Sequence, residues 1–279
     1  MFLDYNLKKI GLHIRLEDSL TKVAEKAARL NLKFFQTFMT LPNGKYINLT
    51  DEDLNKFLTL REQFSDIYMH GSYWINLCSA KGKGLEILKR ELKIAKKLNF
   101  THLILHPGAA TGFETKKQGI QKLAASLNDV LKNETQIQII LENTTHGNKS
   151  IGGDLTEYQY LLTLLDNPEK IKFCLDSSHA YAYGYDITSE DGLKNFERTI
   201  ESTIGKENVK LIHLNDTLEQ LGSKIDKHEV PGKGTIGSKN LKTFIDIIGT
   251  DLPILLEMPP VDEDEEIKII SDVKNWYLC

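Results

Sequence analysis

Cysteine is scarce in this chain: Cys78, Cys174 and Cys279 are its three, far apart and in no CxxC pair. An odd, scattered set builds no disulfide framework and offers no thiolate metal site, and it suits a reducing, intracellular setting. No apolar run is long enough to span a bilayer, which excludes a membrane partner of that kind. The opening stretch MFLDYNLKKIG lacks the basic patch, apolar core and cleavage site of a secretory signal, so a cytoplasmic location is expected. There is no Pro/Ser linker, low-complexity tract or shift in composition to divide the chain, and a single domain over 1–279 is expected. Positive charge is not in excess either. Thirty-five Lys and Arg against 39 Asp and Glu give a formal net charge of −4, which at first sight disfavours a nucleic-acid partner.

What is present is the balance of a soluble globular protein, 41% hydrophobic and 27% charged residues over a length of 279. A rhythm repeats along it: a short apolar run, a polar loop, then an amphipathic stretch of about three to four turns. The apolar runs cover 8–14, 32–39, 66–70, 102–106, 136–143, 171–176, 209–216 and 253–259. Their near-continuous hydrophobicity suits parallel strands covered by helices. The stretches between them carry helix signals. DSLTKVAEKAARLN opens with Asp18 or Ser19 as N-cap, and TDEDLNKFLTLREQF opens with Thr50, with Asp53 three residues on. Eight strands, each followed by a helix, predict an α/β chain folded as one (β/α)8 TIM barrel. A doubly wound sheet is the alternative, but no glycine fingerprint follows the first strand.

In such a barrel the functional face is the C-terminal end of the strands. Strands three to five end at His70, His106 and Glu142. Strand six ends at Asp176 with His179 three residues on, strand seven holds His213 with Asp216 just beyond, and strand eight ends at Glu257. The loop after strand seven adds Asp226 and His228. Any one of these reads equally well as a hydrogen-bonded rim residue or a helix cap. Six successive strands delivering such groups to one rim is a different matter, because the side chains converge. Four carboxylates so close together raise one another's pKa, and cations relieve that repulsion. Imidazole and carboxylate without thiolate favour zinc, manganese or iron over calcium or magnesium. Five His and four acidic residues exceed the needs of one four-coordinate metal and, with one carboxylate bridging, fit two or three ions. His13, His102 and His146 are set aside as structural, and Gln36 is read as facing the same rim, within reach of a substrate.

Several segments together resemble the endonuclease IV family: HGSYWINLCS (70–79), LILHPGAATG (103–112), IILENTTHGN (139–148), CLDSSHAYAYGYD (174–186), LIHLNDTLEQLGSKIDKHEVPGKGTIG (211–237) and LLEMP (255–259). The resemblance implies a centre of three zinc ions with nine ligands: His70, His106, Glu142, Asp176, His179, His213, Asp226, His228 and Glu257. Glu142 would bridge two zincs, His70 and His106 complete the first, and Asp176, His213 and Glu257 the second. His179, Asp226 and His228 would hold the third. Glu142 and Glu257 are the carboxylates expected at the reacting centre. The implied reaction is hydrolysis of the phosphodiester 5′ of an abasic site in duplex DNA by metal-activated water, leaving a 3′-hydroxyl and a 5′-deoxyribose phosphate, with 3′-blocking groups as a further substrate. A monomer is expected.

The charge objection weakens on that reading, since three zincs carry +6 and move the chain from −4 to about +2. Tyr73 and Trp74 match positions where the family inserts side chains into the duplex, and Lys233 in the PGKGTIG loop (231–237), with its backbone N–H groups, is assigned to phosphate. The loop after strand two, TLPNGKYINL with Lys45 its only cation, departs from the long basic loop of the family, and no second wedge is assigned there. The competing reading is a xylose-isomerase-like sugar isomerase or epimerase with one divalent metal on Glu142, Asp176, His213 and Glu257. A barrel that only binds damaged DNA is a third.

Overall fold

A computed structural model describes residues 10–41, 44–133 and 136–276. Among them, the eight apolar runs form eight parallel strands: β1 Ile10–Leu12, β2 Phe35–Phe38, β3 Ile67–His70, β4 His102–Leu105, β5 Gln138–Glu142, β6 Ile171–Asp176, β7 Val209–His213 and β8 Ile254–Leu256. The ladder runs β1-β8-β7-β6-β5-β4-β3-β2. The seam between β1 and β2 is closed by one parallel bridge, His13 to Gln36, with Ile14 N–H donating to the Gln36 carbonyl at 2.8 Å. The result is the eight-stranded barrel that the alternation of runs and helices predicts. Leu12 is where β1 ends, and residues 8 and 9 of the expected first strand lie outside the described residues.

The helices are α1 Leu20–Arg29, α2 Asp51–Arg61, α3 Lys83–Lys97, α4 Lys116–Leu131, α5 Leu155–Leu162, α6 Ser177–Tyr183, α7 Glu190–Thr203, α8 Gly237–Ile248 and α9 Glu263–Asn275. Ser19 rather than Asp18 caps α1, and Thr50 caps α2 by accepting the Asp53 N–H. None of the described helices is long and apolar enough to cross a membrane. One departure from a strict strand–helix alternation falls after β6, where two helices follow. The Asp176 carboxylate at the strand end accepts the His179 N–H and so starts α6, which stops after two turns at Gly184 with φ of 126°.

Strand pleating sends alternate residues inward, and the interior is built in two layers two residues apart. The first is apolar: Phe34, Tyr68, Ile104, Ile140, Cys174, Leu211 and Leu255 form a buried cluster of their own. Gly11 completes it from β1, because a Cβ there would come within 2.6 Å of the Phe34 ring and 2.8 Å of the Leu255 side chain. The second layer lies two residues further along every strand, at His13, Gln36, His70, His106, Glu142, Asp176, His213 and Glu257. Each residue there is polar. The positions between, such as Phe35, Leu105 and Leu141, face the helices and join the main core.

Candidate metal centre

The polar layer and the loop after β7 bring eight of the nine expected ligands into three groups of mutually close donor atoms, each within 4.8 Å. These are His70, His106 and Glu142; then Glu142, Asp176, His213 and Glu257; then Asp176, His179 and His228. Asp226, the ninth, stands 3.1 Å from His179 Nε2 and 3.5 Å from His228 Nε2. The first two groups hold the residues expected to stand together, whereas in the third Asp176 accompanies His179 and His228 where Asp226 was expected.

Each histidine's tautomer follows from its neighbours, since a carbonyl oxygen only accepts. His70 Nδ1 donates to the Gly71 carbonyl at 2.8 Å, His179 Nδ1 to Asn143 at 2.9 Å and His228 Nδ1 to Glu257 at 3.0 Å. Their Nε2 lone pairs therefore face the site. His179 and His228 bring their Nε2 atoms within 3.3 Å of each other, with Asp226 Oδ1 3.1 Å from that of His179. His213 is held the other way round. Its Nε2 donates to Gln36 Oε1 at 3.0 Å, leaving Nδ1 against Glu142 Oε1 at 2.9 Å and Glu257 Oε2 at 3.2 Å. Two carboxylates against one ring nitrogen call for positive charge there, either a proton on Nδ1 or a cation between them. His106 Nε2 and Glu142 Oε2, 3.1 Å apart, are both buried without a hydrogen bond.

The electrostatics carry the same message. Glu142 and Asp176 are fully buried, and among the described residues no Lys or Arg nitrogen comes within 4.0 Å of either one, of Asp226 or of Glu257. Several kcal/mol is the usual penalty for each such ion left uncompensated. Burial pushes the Glu142 carboxyl up, but His213 and His106 hold it well below its ordinary value. Glu257 behaves likewise beside His213 and His13. The imidazoles mirror this. Burial pushes His179 and His213 down, yet Asp176 and Asp226 around the first, and Cys174, Glu142 and Glu257 around the second, hold both well above the ordinary histidine value. The cluster demands positive charge, and its donor set of neutral imidazoles and carboxylates fits zinc.

Several residues that hold these ligands were not legible as such. Gln36 is wholly buried rather than facing a substrate: its amide N–H₂ reaches both Glu257 and His13 Nδ1, and its oxygen takes His213. His13 is the β1 member of the polar layer, not a remote structural histidine. The two-residue step from Gly11 to His13, matching Phe34 to Gln36, was the available signal. Asn143 pairs with the Asp176 backbone at 2.7 and 3.1 Å, and Asn215 ties Asp176 Oδ2 at 2.6 Å to the Glu257 N–H at 2.8 Å. His102 stacks on Tyr68 at the start of β4, away from the mouth. His146 comes within 4.0 Å of Asp226.

A cavity of about 800 Å³ opens over the centre, walled by His70, His106, Tyr73, Trp74, Asp226 and Glu257, with Arg15 and Lys227 supplying positive charge. Tyr73 and Trp74 are 78% and 69% exposed at its edge. Lys233 stands elsewhere, paired with Glu265 at 2.7 Å. The N–H groups of its loop, thought free for phosphate, are already taken. Asp216 accepts those of Gly232, Gly234, Ile236 and Gly237 at 3.0–3.1 Å, so the glycines fold the loop around an internal anion.

Known proteins share both sequence and architecture. Residues 24–276 match the xylose isomerase-like TIM barrel family. A probable endonuclease 4 of Thermosipho melanesiensis is 33% identical, covering 96% of this chain and 97% of the relative. The probable endonuclease 4 of Thermotoga maritima is 31% identical, over 95% and 96%. Endonuclease IV from Thermus thermophilus superposes with a TM-score of 0.81 at 28% identity, covering 97% of this chain and 98% of that one. Full-length likeness of this kind, together with the strand-end motifs, shows that the chain belongs to the xylose isomerase-like TIM barrel family and, within it, to the endonuclease IV family.

Proposed function

We propose that this protein is a zinc-dependent DNA-repair endonuclease that hydrolyses the phosphodiester 5′ of abasic sites in duplex DNA, leaving a 3′-hydroxyl and a 5′-deoxyribose phosphate. The observation that carries the reading is the convergence of five imidazoles with Glu142, Asp176 and Glu257 in three linked groups, with His106 Nε2 and Glu142 Oε2 buried and unpaired at their centre. His70, His106 and Glu142 would hold one zinc, and Glu142, Asp176, His213 and Glu257 the second. His179, Asp226 and His228, with Asp176 at hand, would hold the third. When bound, zinc supplies the Lewis acidity that activates water at neutral pH and neutralises phosphate charge. The chain's own part is preorganisation. Backbone carbonyls and Gln36 fix the imidazoles, and Asn143 and Asn215 hold Asp176 and Glu257 in place. Tyr73 and Trp74, exposed beside the cavity, are placed to fill a base stack from which an abasic sugar has swung out. Arg15 and Lys227 would meet backbone phosphates, and Lys233 could do so only by leaving Glu265.

A sugar isomerase with one divalent metal would use the four-residue group alone. The other two groups would then be buried, repulsive and without purpose. The deciding experiment nicks a duplex carrying one abasic site, without added magnesium, with elemental analysis of the same sample. Incision by protein holding about three zincs is expected, with slow loss under chelation. An intact strand after long incubation with zinc-loaded protein overturns the proposal, and a single bound metal with sugar isomerisation establishes the alternative.

A further inference from the structure

Glu91 lies on α3, outside the polar layer, and is wholly buried. No Lys or Arg pairs with it among the described residues, and a lone buried carboxylate is an expensive group to retain. Its two oxygens are spent on two different loops of the barrel mouth. Oε2 accepts the Ser72 N–H at 3.1 Å, and Oε1 accepts the Tyr46 hydroxyl at 3.1 Å. Ser72 lies between the candidate ligand His70 and the exposed Tyr73–Trp74 pair. Tyr46 closes the loop after β2 through an antiparallel bridge to Thr40, and the Arg90 guanidinium covers its ring at 3.8 Å. The two loops also meet directly: a Cβ added to Gly44, which has φ of 77°, would stand 3.3 Å from the Trp74 indole nitrogen.

We infer that Glu91 is a positioning residue for duplex recognition, clamping the loops after β2 and β3 into one unit so that Tyr73 and Trp74 stand at a fixed height over the metal centre. The carboxylate reaches Tyr73 and Trp74 only through the backbone of Ser72, and it touches none of the ligand side chains. Losing it therefore blurs where the aromatic pair stands without altering the chemistry of the centre. This inference rests on the reading of Tyr73 and Trp74 as the duplex probe.

The test compares zinc-loaded Glu91→Ala, Glu91→Gln and Tyr46→Phe with the parent protein on two substrates, an abasic-site duplex and the small diester bis(p-nitrophenyl) phosphate. For Glu91→Ala, KM on the duplex is expected to rise about tenfold, with zinc content and small-diester turnover unchanged. Glu91→Gln, which keeps an acceptor for Ser72 and a partner for Tyr46, should restore most of the loss. Tyr46→Phe, which frees one loop only, should fall between and decides the matter if the alanine variant does not fold. A parallel fall on both substrates, or an unchanged KM on the duplex, overturns the inference. Should the parent itself fail to cut the duplex, the functional reading is what has failed. Trp74 fluorescence anisotropy in a Trp276→Phe background then judges the clamp: a drop on removing Glu91 supports it, and no change refutes it.

Discussion

Two layers of the barrel interior, separated by two residues on every strand, obey opposite rules. The apolar layer of Phe34, Tyr68, Ile104, Ile140, Cys174, Leu211 and Leu255 is complete in itself, and its side chains need only one another. The polar layer above it is complete only with added positive charge, because its carboxylates are buried with no Lys or Arg beside them and only imidazoles for partners. One layer stabilises the fold, and the other draws on that stability to hold like groups together. A barrel can sustain the second because the first is beneath it.

The contrast can be broken most severely at Glu142, which joins two of the three ligand groups. Glu142→Ala should abolish incision of an abasic duplex and lower the zinc count by elemental analysis. In the apolar layer, Ile140→Ala should instead lower folding stability by about 2–5 kcal/mol in denaturant melts, with zinc content intact. Gln36→Leu tests the support between the layers, and a 10–100-fold loss of zinc affinity in chelator competition is the expected order of magnitude. Retained affinity would show that His213 and Glu257 need no orienting partner.

Acidity gives a subtler separation. In metal-free protein, Glu142 and Glu257 are held below the ordinary 4.5, so their contribution is whole above that pH and is lost as pH falls through their folded values. His179 and His213 are held above the ordinary 6.5, so theirs is whole below that pH and is lost as pH rises through their folded values. Chelator-stripped protein should therefore melt highest between pH 4.5 and 6.5 and progressively lower as pH rises beyond that window. Zinc-loaded protein should show the reverse trend, since zinc binds neutral imidazole. The smallest effect belongs to the exposed Lys233–Glu265 pair: Lys233→Ala should leave the melting temperature essentially unchanged.

Much of this was legible from the amino acids alone. Apolar runs ending in His, Asp or Glu marked the strands, their direction and the residues that meet at the mouth, because a strand end in a barrel is both a structural and a chemical address. Residues acting through others were harder to see. Gln36 and His13 sit in ordinary strand positions, and their roles depend on the β1–β2 seam, a contact between segments that sequence spacing does not specify. The N–H groups of PGKGTIG read naturally as a phosphate cradle, but Asp216, sixteen residues upstream of Gly232, already lies in it. Asp176 read as a strand end or a helix cap, and in the fold it is both at once.

That internal anion has a further consequence. The chain between Asp216 and the glycines carries Asp226 and His228, and it is tethered at one end by Asp216 and along its length by the His228–Glu257 contact. The segment is thus shaped during folding, before any ion arrives. A cation held by His179, Asp226 and His228 would then require little ordering of chain, so its affinity would reflect coordination and not the entropy of a loop closing around it.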